Sequence, residues 1–477
     1  MSKQILFSPV TRLSGLLTAE LAVEHGIVAE ADVSGTMFRG FEYIMRDRHI
    51  TDAVYLTQRI CGICSTAHGA VASYLLDSLY DNDIGENAQY LRNIMFGADF
   101  LQNHIRHFYF FGLPDFVIMP NEPPFLNQNC FDCRLDDSDN HRLSGHYIEA
   151  VKAAEKSHQL LALFGGKAPH QHSFVHGGVA AAPTADKITQ ALALIRDILD
   201  FIRRCLLPDT DLIAKCYGDY YHIGETSGRF LSFGLFRFGG KNEHELWRPG
   251  VLNDNRLTRP KVDLIREDIA NAWFEQAESP TKEETLPAPR KPGAYTWSKA
   301  VLYRGRHYEG GPLARMLING FYSGGTSTMD RIVARTIETH LIAELVEEWL
   351  QKLRPGEPPV SQKKETVRDQ AIAVTDAMRG ALLHCARIRG QQVEKYDIIT
   401  PTAWNFSPKD HRGNRGPAET ALVGTEILSP ELKYVIPGRI IRSFDPCISC
   451  ATHLVEKRHL PAAHNVHDSN KFPFTSI

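Results

Sequence analysis

The pattern of hydrophobic and polar positions predicts a chain in which long helices outnumber short strands. An apolar residue at every third or fourth position is typical of a helix that packs one face against a core. Small residues after Cys64 also predict a closely packed helix that ends near residue 80. The longest segments with the helical period are residues 86–112, 144–164, 185–205 and 329–353.

Other segments alternate with the period of two that is typical of strands. They are residues 5–32, with a hairpin turn at His25-Gly26, residues 229–238 and residues 371–400. We expect residues 241–296, rich in Pro, Asn, Lys and Glu, to form an irregular surface excursion, and residues 401–408 a rigid loop. The fold class predicted is therefore α+β, mainly helical, with a long central helix bundle and small peripheral β-sheets.

Length, composition and charge narrow the function classes. The 477 residues suffice for one large domain or up to about three, and 43% hydrophobic with 23% charged residues is typical of a soluble globular protein. The net charge of -3 offers no basic excess to neutralise phosphates, so nucleic acid is not expected as a partner. The sequence shows neither a run of about 18 apolar residues nor a secretory signal, so export or membrane attachment would have to come from a partner.

The nine cysteines do not have the spacing of a disulfide framework, which favours a reducing compartment. Cys130 and Cys133 lie in a loop, residues 114–141, that is rich in Pro, Asn and Asp. Because this loop offers no second CxxC pair, we expect its cysteines to be free thiols or to contact a partner.

Two further CxxC pairs carry the candidate chemistry. They lie in Arg59-Ile-Cys61-Gly-Ile-Cys64-Ser-Thr-Ala-His68 and in Asp445-Pro-Cys447-Ile-Ser-Cys450-Ala-Thr-His453. Both sulfurs of such a pair converge on one soft metal, so two pairs predict a four-thiolate site that the fold closes. Structural zinc, an iron–sulfur cluster and a redox metal with an open coordination position all fit four thiolates. Structural zinc normally uses pairs that lie closer in sequence, and spacing alone leaves zinc and a redox metal open.

Other polar residues are weaker candidates. His104 and His107 are one turn apart on a predicted helix, and we expect them to be hydrogen-bonded core residues rather than metal ligands. By residue type alone, Glu42 is expected to be a solvated surface carboxylate.

The two cysteine motifs together resemble the signature pair of the nickel–iron hydrogenase large subunit, and this resemblance runs along the whole chain. Further segments resemble family patterns in family order: Phe38-Arg-Gly-Phe-Glu42, His104-Ile-Arg-His107-Phe-Tyr, Gly165-Gly-Lys, Gly177-Gly-Val, Met378-Arg379-Gly, Thr402-Ala-Trp404-Asn and Gly416-Pro-Ala-Glu419. The resemblance implies the nickel–iron hydrogenase large-subunit fold and a single domain over residues 1–453.

The resemblance also implies the cofactor. Cys61 and Cys447 would be terminal ligands of nickel, while Cys64 and Cys450 would bridge it to an iron that carries CO and CN. The implied reaction is the reversible cleavage of H2 into two protons and two electrons, and H2 uptake is the expected role.

Further residues acquire roles through the same resemblance. Cys447 would be the first proton acceptor, Arg379 would hang over the open coordination position, and Asp445 would orient Arg379. Glu42 and His453 match the family's ligands to a buried magnesium ion, which suits a carboxylate and water-rich site.

The implied partners are an iron–sulfur small subunit, maturation proteins and an endopeptidase. The expected location is the cytoplasm, or the membrane or exterior only through the small subunit. Family precursors are typically cut just after the histidine that corresponds to His453, so residues 454–477 form a C-terminal extension that maturation could remove.

Three positions depart from the family pattern. Ser14 stands where a glutamate usually relays protons, and a serine hydroxyl can pass a proton but cannot hold one as a base. Asn103 stands where some relatives have an aspartate, and Met378 replaces a common proline. The Ser14 substitution favours, as an alternative, a regulatory H2-sensing subunit with low turnover; a structural zinc protein with four cysteine ligands is the alternative from a different class.

Overall fold

The structure is a computed structural model that describes residues 3–121, 125, 131–239, 244–276, 285–357, 360, 368–427 and 429–451. Its helices are α1 Phe41–Ile44, α2 Ala53–Thr57, α3 Ser65–Leu79, α4 Glu86–Arg106, α5 Asp137–Gly165, α6 Ala185–Phe201, α7 Leu207–Cys216, α8 Pro312–Asn319, α9 Thr328–Lys352, α10 Pro401–Asn405, α11 Pro417–Leu422, α12 Val435–Ser443 and α13 Ile448–Ala451. Its strands are β1 Lys3–Phe7, β2 Leu17–Glu24, β3 Ile27–Gly35, β4 Phe174–Val175, β5 Gly178–Val179, β6 Phe230–Ser232, β7 Leu235–Phe238, β8 His244–Trp247, β9 Gly250–Asn253, β10 Arg256–Thr258, β11 Ile265–Asp268, β12 Phe274–Gln276, β13 Thr285–Pro287, β14 Ala300–Tyr303, β15 Gln370–Ala377, β16 Gly380–Arg389 and β17 Gln392–Ile399.

The core is built on four long helices, α4, α5, α6 and α9. Helix α4 packs against both α5 and α9, and α6 packs against α5 and α9. Gly97 permits the close approach of α4 to α9, because a Cβ atom there would lie only 2.5 Å from Cγ2 of Val346. The predicted helix bundle is confirmed.

Sequence-encoded caps start these helices. The Ser327 side chain accepts a hydrogen bond from the backbone N–H of Asp330, whose carboxylate accepts one from the N–H of Ser327, so α9 begins with a capping box. Asp136 and Thr184 cap α5 and α6 in the simpler way, with one side-chain acceptor each. The predicted starts of α6 and α9 agree with the observed ones to within one residue, whereas α5 begins at Asp137, seven residues before the predicted residue 144.

Small antiparallel sheets surround the bundle. Strands β1–β2–β3 form one sheet, and the buried face of this sheet shares a hydrophobic core with α11 and α12. The predicted turn at His25-Gly26 is present, with φ angles of 53° and 83° in the left-handed region. Strands β15–β16–β17 form a second sheet, which packs on α3. The mainly helical α+β prediction is confirmed.

Three local predictions need correction. Residues 241–296 are more regular than expected, because the short strands β8–β13 pair within this segment or with neighbouring strands. Residues 401–408 begin with a helical turn, α10, since Pro401 is favourable in the first turn of a helix. Cys133 belongs to a disulfide, so the prediction of a free thiol is wrong there, and Cys130 lies outside the described residues.

Candidate metal centre

The first cysteine pair lies at the entrance to α3. A short 3-10 turn, Gln58–Ile60, ends at Cys61, whose backbone is extended, and Cys64 is the residue directly before α3. The backbone N–H of Ile63 donates to Cys61 Sγ over 3.3 Å. This tight turn points both sulfurs to one side of the segment.

The second pair lies at the last helix described, α13. Asp445 adopts a left-handed backbone with a φ of 56°, and this reverses the chain before the proline. The N–H of Cys447 donates to Thr402 Oγ1 over 3.0 Å, and the N–H of Cys450 donates to the carbonyl of Cys447 over 2.9 Å. Thr402 thus holds the second cysteine pair in place. In the sequence, only the motif Thr402-Ala-Trp404-Asn pointed to this residue.

The fold brings the four sulfurs together. The Sγ–Sγ distances are 3.2 Å for Cys61–Cys447, 3.5 Å for Cys64–Cys450 and 2.8 Å for Cys447–Cys450. All four thiols are free and buried, and their sulfurs lie within 4.8 Å of one another. The predicted closure of two distant CxxC pairs into one site is confirmed as geometry.

The electrostatics of this group fit a bound cation. Hydrogen bonding, first of all with Cys447, lowers the pKa of Cys61 well below its ordinary value, whereas burial raises the pKa of Cys450. Four buried thiolates this close would repel one another without a positive charge between them. The donor set, four soft sulfurs, therefore suits a thiophilic metal.

Arg379 reaches the centre from a hairpin turn. Ala377 pairs with Gly380 across β15 and β16, so Met378 and Arg379 form a two-residue turn. Gly380 has a φ of 126°, and a Cβ atom there would lie 2.7 Å from the backbone nitrogen of Gly311. Only glycine fits this approach, and it sets the direction in which Arg379 leaves the turn.

The Arg379 guanidinium is fixed by three hydrogen bonds. Its Nε donates to the carbonyl of Asp445 over 2.7 Å, its Nη2 to Asp445 Oδ1 over 2.9 Å, and its Nη1 to Asn103 Oδ1 over 3.1 Å. Burial would raise the pKa of Asp445, but the charge of Arg379 holds it below its usual value. A cavity of about 10 Å³ is lined by this arginine and by Cys64, Cys447 and Cys450.

A buried ion-pair network holds the hairpin turn. Arg315 Nη1 donates to the carbonyl of Ala377 over 2.9 Å, and its Nη2 donates to that of Met378 over 2.8 Å. Glu338 on α9 binds the same guanidinium through both carboxylate oxygens, at 2.6 and 2.7 Å. Sequence reasoning missed this support, because nothing in a lone Arg and a lone Glu signals their pairing.

Helix α4 holds the first cysteine loop from the other side. Gln102 and Asn103 both donate side-chain hydrogen bonds to the carbonyl of Ile63, at 2.9 and 2.8 Å. Asp99 Oδ2 accepts from the N–H of Thr66 over 3.2 Å, and burial raises the pKa of this carboxyl to about 7. Asn103 thus connects the cysteine loop to Arg379. The sequence showed only that an asparagine stands where some relatives have an aspartate, and it did not reveal this role.

The structure places Ser14 beside the second chelate. The backbone N–H of Ile448 donates to the carbonyl of Ser14 over 2.7 Å, and Ser14 pairs with Cys447 as an isolated parallel bridge. The next residue, Gly15, admits this contact, since a Cβ atom there would lie 2.6 Å from the nitrogen of Ser449. Ser14 is half-buried, so it lies between the centre and the protein surface.

Glu42 is buried, and the expectation of a surface carboxylate is wrong. Its Oε1 accepts a hydrogen bond from the N–H of Ile398 over 2.8 Å. Burial raises its pKa to about 8, although Lys299 acts in the opposite direction. His453, its expected co-ligand, lies outside the described residues.

His104 on α4 and His107, which begins the π-helical segment directly after it, are buried core residues, as predicted. His104 Nε2 lies 2.8 Å from Glu338 Oε2, and His107 Nε2 lies 2.6 Å from the carbonyl of Arg442. His68, on α3, lines the small cavity, and its Nδ1 lies 3.2 Å from His384 Nε2. His68, His104 and His107 are not members of the four-cysteine group.

A buried four-thiolate centre with an adjoining fixed guanidinium, set in a large α+β scaffold, defines a protein that can hold a thiophilic metal. Comparison with known proteins makes the class specific. The family model for nickel-dependent hydrogenases matches residues 39–122, 125–326 and 321–453.

Relatives are similar over nearly the full length. The periplasmic [NiFeSe] hydrogenase large subunit of Desulfomicrobium baculatum is 33% identical, with 95% of each chain covered. The uptake hydrogenase large subunit of Bradyrhizobium diazoefficiens is 26% identical, again with 95% of each covered. The structure of the Ni-Fe-Se hydrogenase from D. vulgaris Hildenborough superposes with a TM-score of 0.90 at 34% identity and covers 95% of this chain and 100% of that one.

This chain belongs to the nickel-dependent hydrogenase family, as a large subunit and an oxidoreductase that acts on H2. The fold and the enzyme class implied by the resemblance are confirmed, and the alternative of a structural zinc protein is overturned by the family match. Over the described parts of the chain, the helices lack the combination of length and apolar character that crossing a membrane requires.

Proposed function

We propose that this chain is the catalytic subunit of an H2-uptake hydrogenase, and that its four cysteines hold the nickel–iron centre in two kinds of position. Cys61 and Cys447 would hold the nickel as terminal ligands, and Cys64 and Cys450 would be the ligands shared with the iron. The observation that carries this proposal is the convergence of four free, buried sulfurs within 4.8 Å. When bound, the centre supplies the Lewis-acidic and redox chemistry by which H2 is split into two protons and two electrons.

The iron is proposed to carry CO and CN. The cavity beside Cys64 and Cys450 supports this, because it joins apolar walls from Ala377 and Leu382 to the Arg379 guanidinium, a donor suited to an anionic ligand. Metal analysis and infrared spectroscopy of the purified enzyme test the assignment. We expect equimolar nickel and iron with CO and CN bands in the wild type and in Cys385→Ser, and loss of both metals in Cys450→Ser. Zinc alone in the wild type would contradict the proposal.

The chain's own groups are proposed to handle the proton and position the site. Cys447 Sγ is the first proton acceptor, since Cys447 and Arg379 line the same small cavity and the Cys447 backbone is fixed by Thr402. Asp445 orients Arg379 by accepting two hydrogen bonds, from Nε at its backbone carbonyl and from Nη2 at its Oδ1. Burial of both groups excludes bulk water from the charges that they present to the site.

Proton exit is proposed to run from Cys447 past Ser14, whose hydroxyl passes the proton to water. The support is positional: Ser14 pairs with Cys447 through the backbone and is half-buried. H2/D2 exchange in Ser14→Ala and Ser14→Glu tests this route. We expect slower exchange for alanine and faster exchange for glutamate, which can hold a proton. Unchanged rates in both variants would remove position 14 from the route.

Electrons are proposed to leave to an iron–sulfur small subunit, assembled as a heterodimer or larger. Among the described residues, the four-cysteine centre is the only cluster of cysteines that could hold iron. Gly62, between the first two ligands, is exposed, as is Arg59, so the centre approaches the surface there. We expect co-purification with the small subunit, and no H2-dependent dye reduction by the large subunit alone.

A magnesium ion is proposed at Glu42, with His453 as its second protein ligand. The support is the burial of a carboxylate whose pKa would be about 8 without a cation. Carboxylate, imidazole and water are suitable ligands for this ion. One equivalent of magnesium in the wild type and its loss in Glu42→Gln is the expected result, and retention in the variant would contradict it.

Maturation is proposed to involve accessory proteins that assemble the centre and an endopeptidase that removes residues 454–477. Intact-mass measurement of the large subunit from active enzyme checks this. A mass that ends at His453 is expected, and a mass that ends at Ile477 would show that the extension is retained.

A regulatory H2 sensor is the second candidate, and Ser14 in place of a proton-holding residue is the observation that favours it. H2-uptake turnover of the purified enzyme discriminates between the two, since a sensor needs only slow turnover. We propose a cytoplasmic location for this chain. The alternative is a location at the membrane or beyond it, reached through the small subunit, and the periplasmic relative from D. baculatum supports that alternative.

A further inference from the structure

A second group of metal-ligand side chains lies on the helix bundle, apart from the four-cysteine centre. Its members are His146 and Glu149 on α5 and Cys205 in the π-helical turn Ile202–Leu206 that connects α6 to α7. Each offers one ligand atom, and these three atoms lie within 4.8 Å of one another. None of these residues belongs to the hydrogenase motifs of the sequence.

The imidazole of His146 is held in one orientation. Its Nδ1 lies 2.9 and 3.0 Å from the two carboxylate oxygens of Asp209, and Tyr109 donates its phenolic proton to the same carboxylate over 2.7 Å. With the Nδ1 proton directed to Asp209, the ring keeps its free lone pair on Nε2. A carboxylate behind the imidazole is the usual support of a metal-ligating histidine.

Cys205 is fully buried, and among the described residues its thiol has no hydrogen-bond partner. The widened π turn that holds it has a local cause, because Pro208 follows and its ring would clash with a carbonyl in a regular helical turn. The turn brings Cys205 Sγ towards α5.

Glu149 provides a negative charge, and its partial exposure gives a cation from solvent access to the cluster. A hydrogen bond from Arg204 holds the pKa of Glu149 below its usual value, so this carboxylate is ionised at neutral pH. Arg204 binds only Oε2, at 2.8 Å, and both partners are about half exposed. Such an ion pair is weak, so a divalent cation that arrives from solvent can share the carboxylate.

We propose that His146, Glu149 and Cys205 form a second metal site, which takes one zinc ion or a divalent cation of similar preference. Imidazole, carboxylate and thiolate are the ligands that zinc prefers, and water completes a four-coordinate site. On binding, Cys205 Sγ gives up its proton to solvent and forms a bond to zinc, with no change of oxidation state. Asp209 is a positioning residue, and the bound ion ties α5 to the turn between α6 and α7.

Zinc content and cobalt spectra of the intact enzyme complex test this site. After dialysis against a weak chelator and titration with Zn²⁺, one zinc per large subunit is expected in addition to nickel and iron. The extra equivalent should be lost in Cys205→Ala and His146→Ala. It should persist in Cys216→Ala, a cysteine outside the cluster, and in His141→Ala, an exposed histidine on the same helix. Asp209→Asn should weaken Zn²⁺ binding about 10- to 100-fold without changing the stoichiometry.

Titration with Co²⁺ identifies the sulfur ligand directly. The spectrum of the wild type minus that of Cys205→Ala should show a thiolate-to-cobalt charge-transfer band, because the nickel–iron centre contributes equally to both and cancels. If Cys205→Ala fails to fold, shown by loss of nickel, the half-exposed Glu149→Gln replaces it and should lose the extra zinc. An equal zinc content in all variants, or no extra zinc in the wild type, would overturn the site.

Discussion

The replacement Glu338→Gln tests how a buried ion pair on α9 positions the arginine of the metal centre. Glu338 and Arg315 are both fully buried, and the guanidinium is bound bidentately. Glutamine keeps one acceptor oxygen but removes the charge, so Arg315 retains only Asp376 as a counter-ion, at 3.0 Å. Breaking a buried pair in this way costs about 3–5 kcal/mol, and the retained acceptor favours the lower end.

The pKa of Glu338 provides an independent magnitude. Burial alone would raise this pKa, but the charge and hydrogen bonds of Arg315 lower it from 4.5 to about 2. A folded-state pKa below the unfolded value adds stability that is fully present above about pH 4.5 and is lost as the pH falls towards about 2. A shift of this size corresponds to about 3 kcal/mol at neutral pH, in agreement with the first estimate.

Thermal unfolding of the enzyme complex at pH 7 is the assay. For 477 residues the entropy of unfolding is about 1 kcal/mol/K, so Tm should fall by about 3–5 °C. The difference between wild type and Glu338→Gln should shrink by about 1 kcal/mol between pH 7 and pH 4. H2 oxidation should also fall, because Arg315 holds the carbonyls of Ala377 and Met378 next to Arg379.

The matched control is Glu344→Gln, on the same helix but half exposed and paired with Arg203. A surface pair contributes about 0–1 kcal/mol, so its Tm should change by no more than about 1 °C. If both variants had the same Tm, or if the Glu338→Gln difference were independent of pH, the reasoning about the buried pair would be refuted.

Three further substitutions probe the site. Asp445→Asn should lower H2 oxidation at least tenfold with nickel and iron retained, because the charge that fixes Arg379 is lost; unchanged turnover would exclude an orienting role. Thr402→Val should leave the Cys447 N–H buried without an acceptor, at a cost of about 1–3 kcal/mol that is measured as a lower Tm. Thr400→Val is the control, and equal Tm values for the two variants would argue against this hydrogen bond. Glu42→Gln should lose magnesium but keep nickel on isolation, which metal analysis checks; loss of nickel as well would mean that Glu42 supports the centre itself.

Local patterns were sufficient for most helices and strands. The apolar periods predicted the starts of α6 and α9 to within one residue, whereas α5 begins at Asp137, seven residues before its predicted start, because the prediction did not use the cap at Asp136. Tertiary pairing decided the corrections. Strands in residues 241–296 form because they pair with one another, as β12 does with β13, or with strands just outside the segment, as β11 does with β14. Glu42 is buried, and its carboxylate accepts a hydrogen bond from the N–H of Ile398.

The sequence by itself determined the donor set, since each CxxC pair is a local chelate whose two sulfurs must lie close together. It could not show how Cys61 and Cys447 come within 3.2 Å, because their 386-residue separation is closed only by packing. The support of Arg379 is likewise tertiary: Arg315, Glu338 and Asn103 come from three different helices, and isolated charged residues carry no local signal of their partners. Chelation is a property of neighbouring residues, whereas the position of a buried charge depends on every element that packs around it.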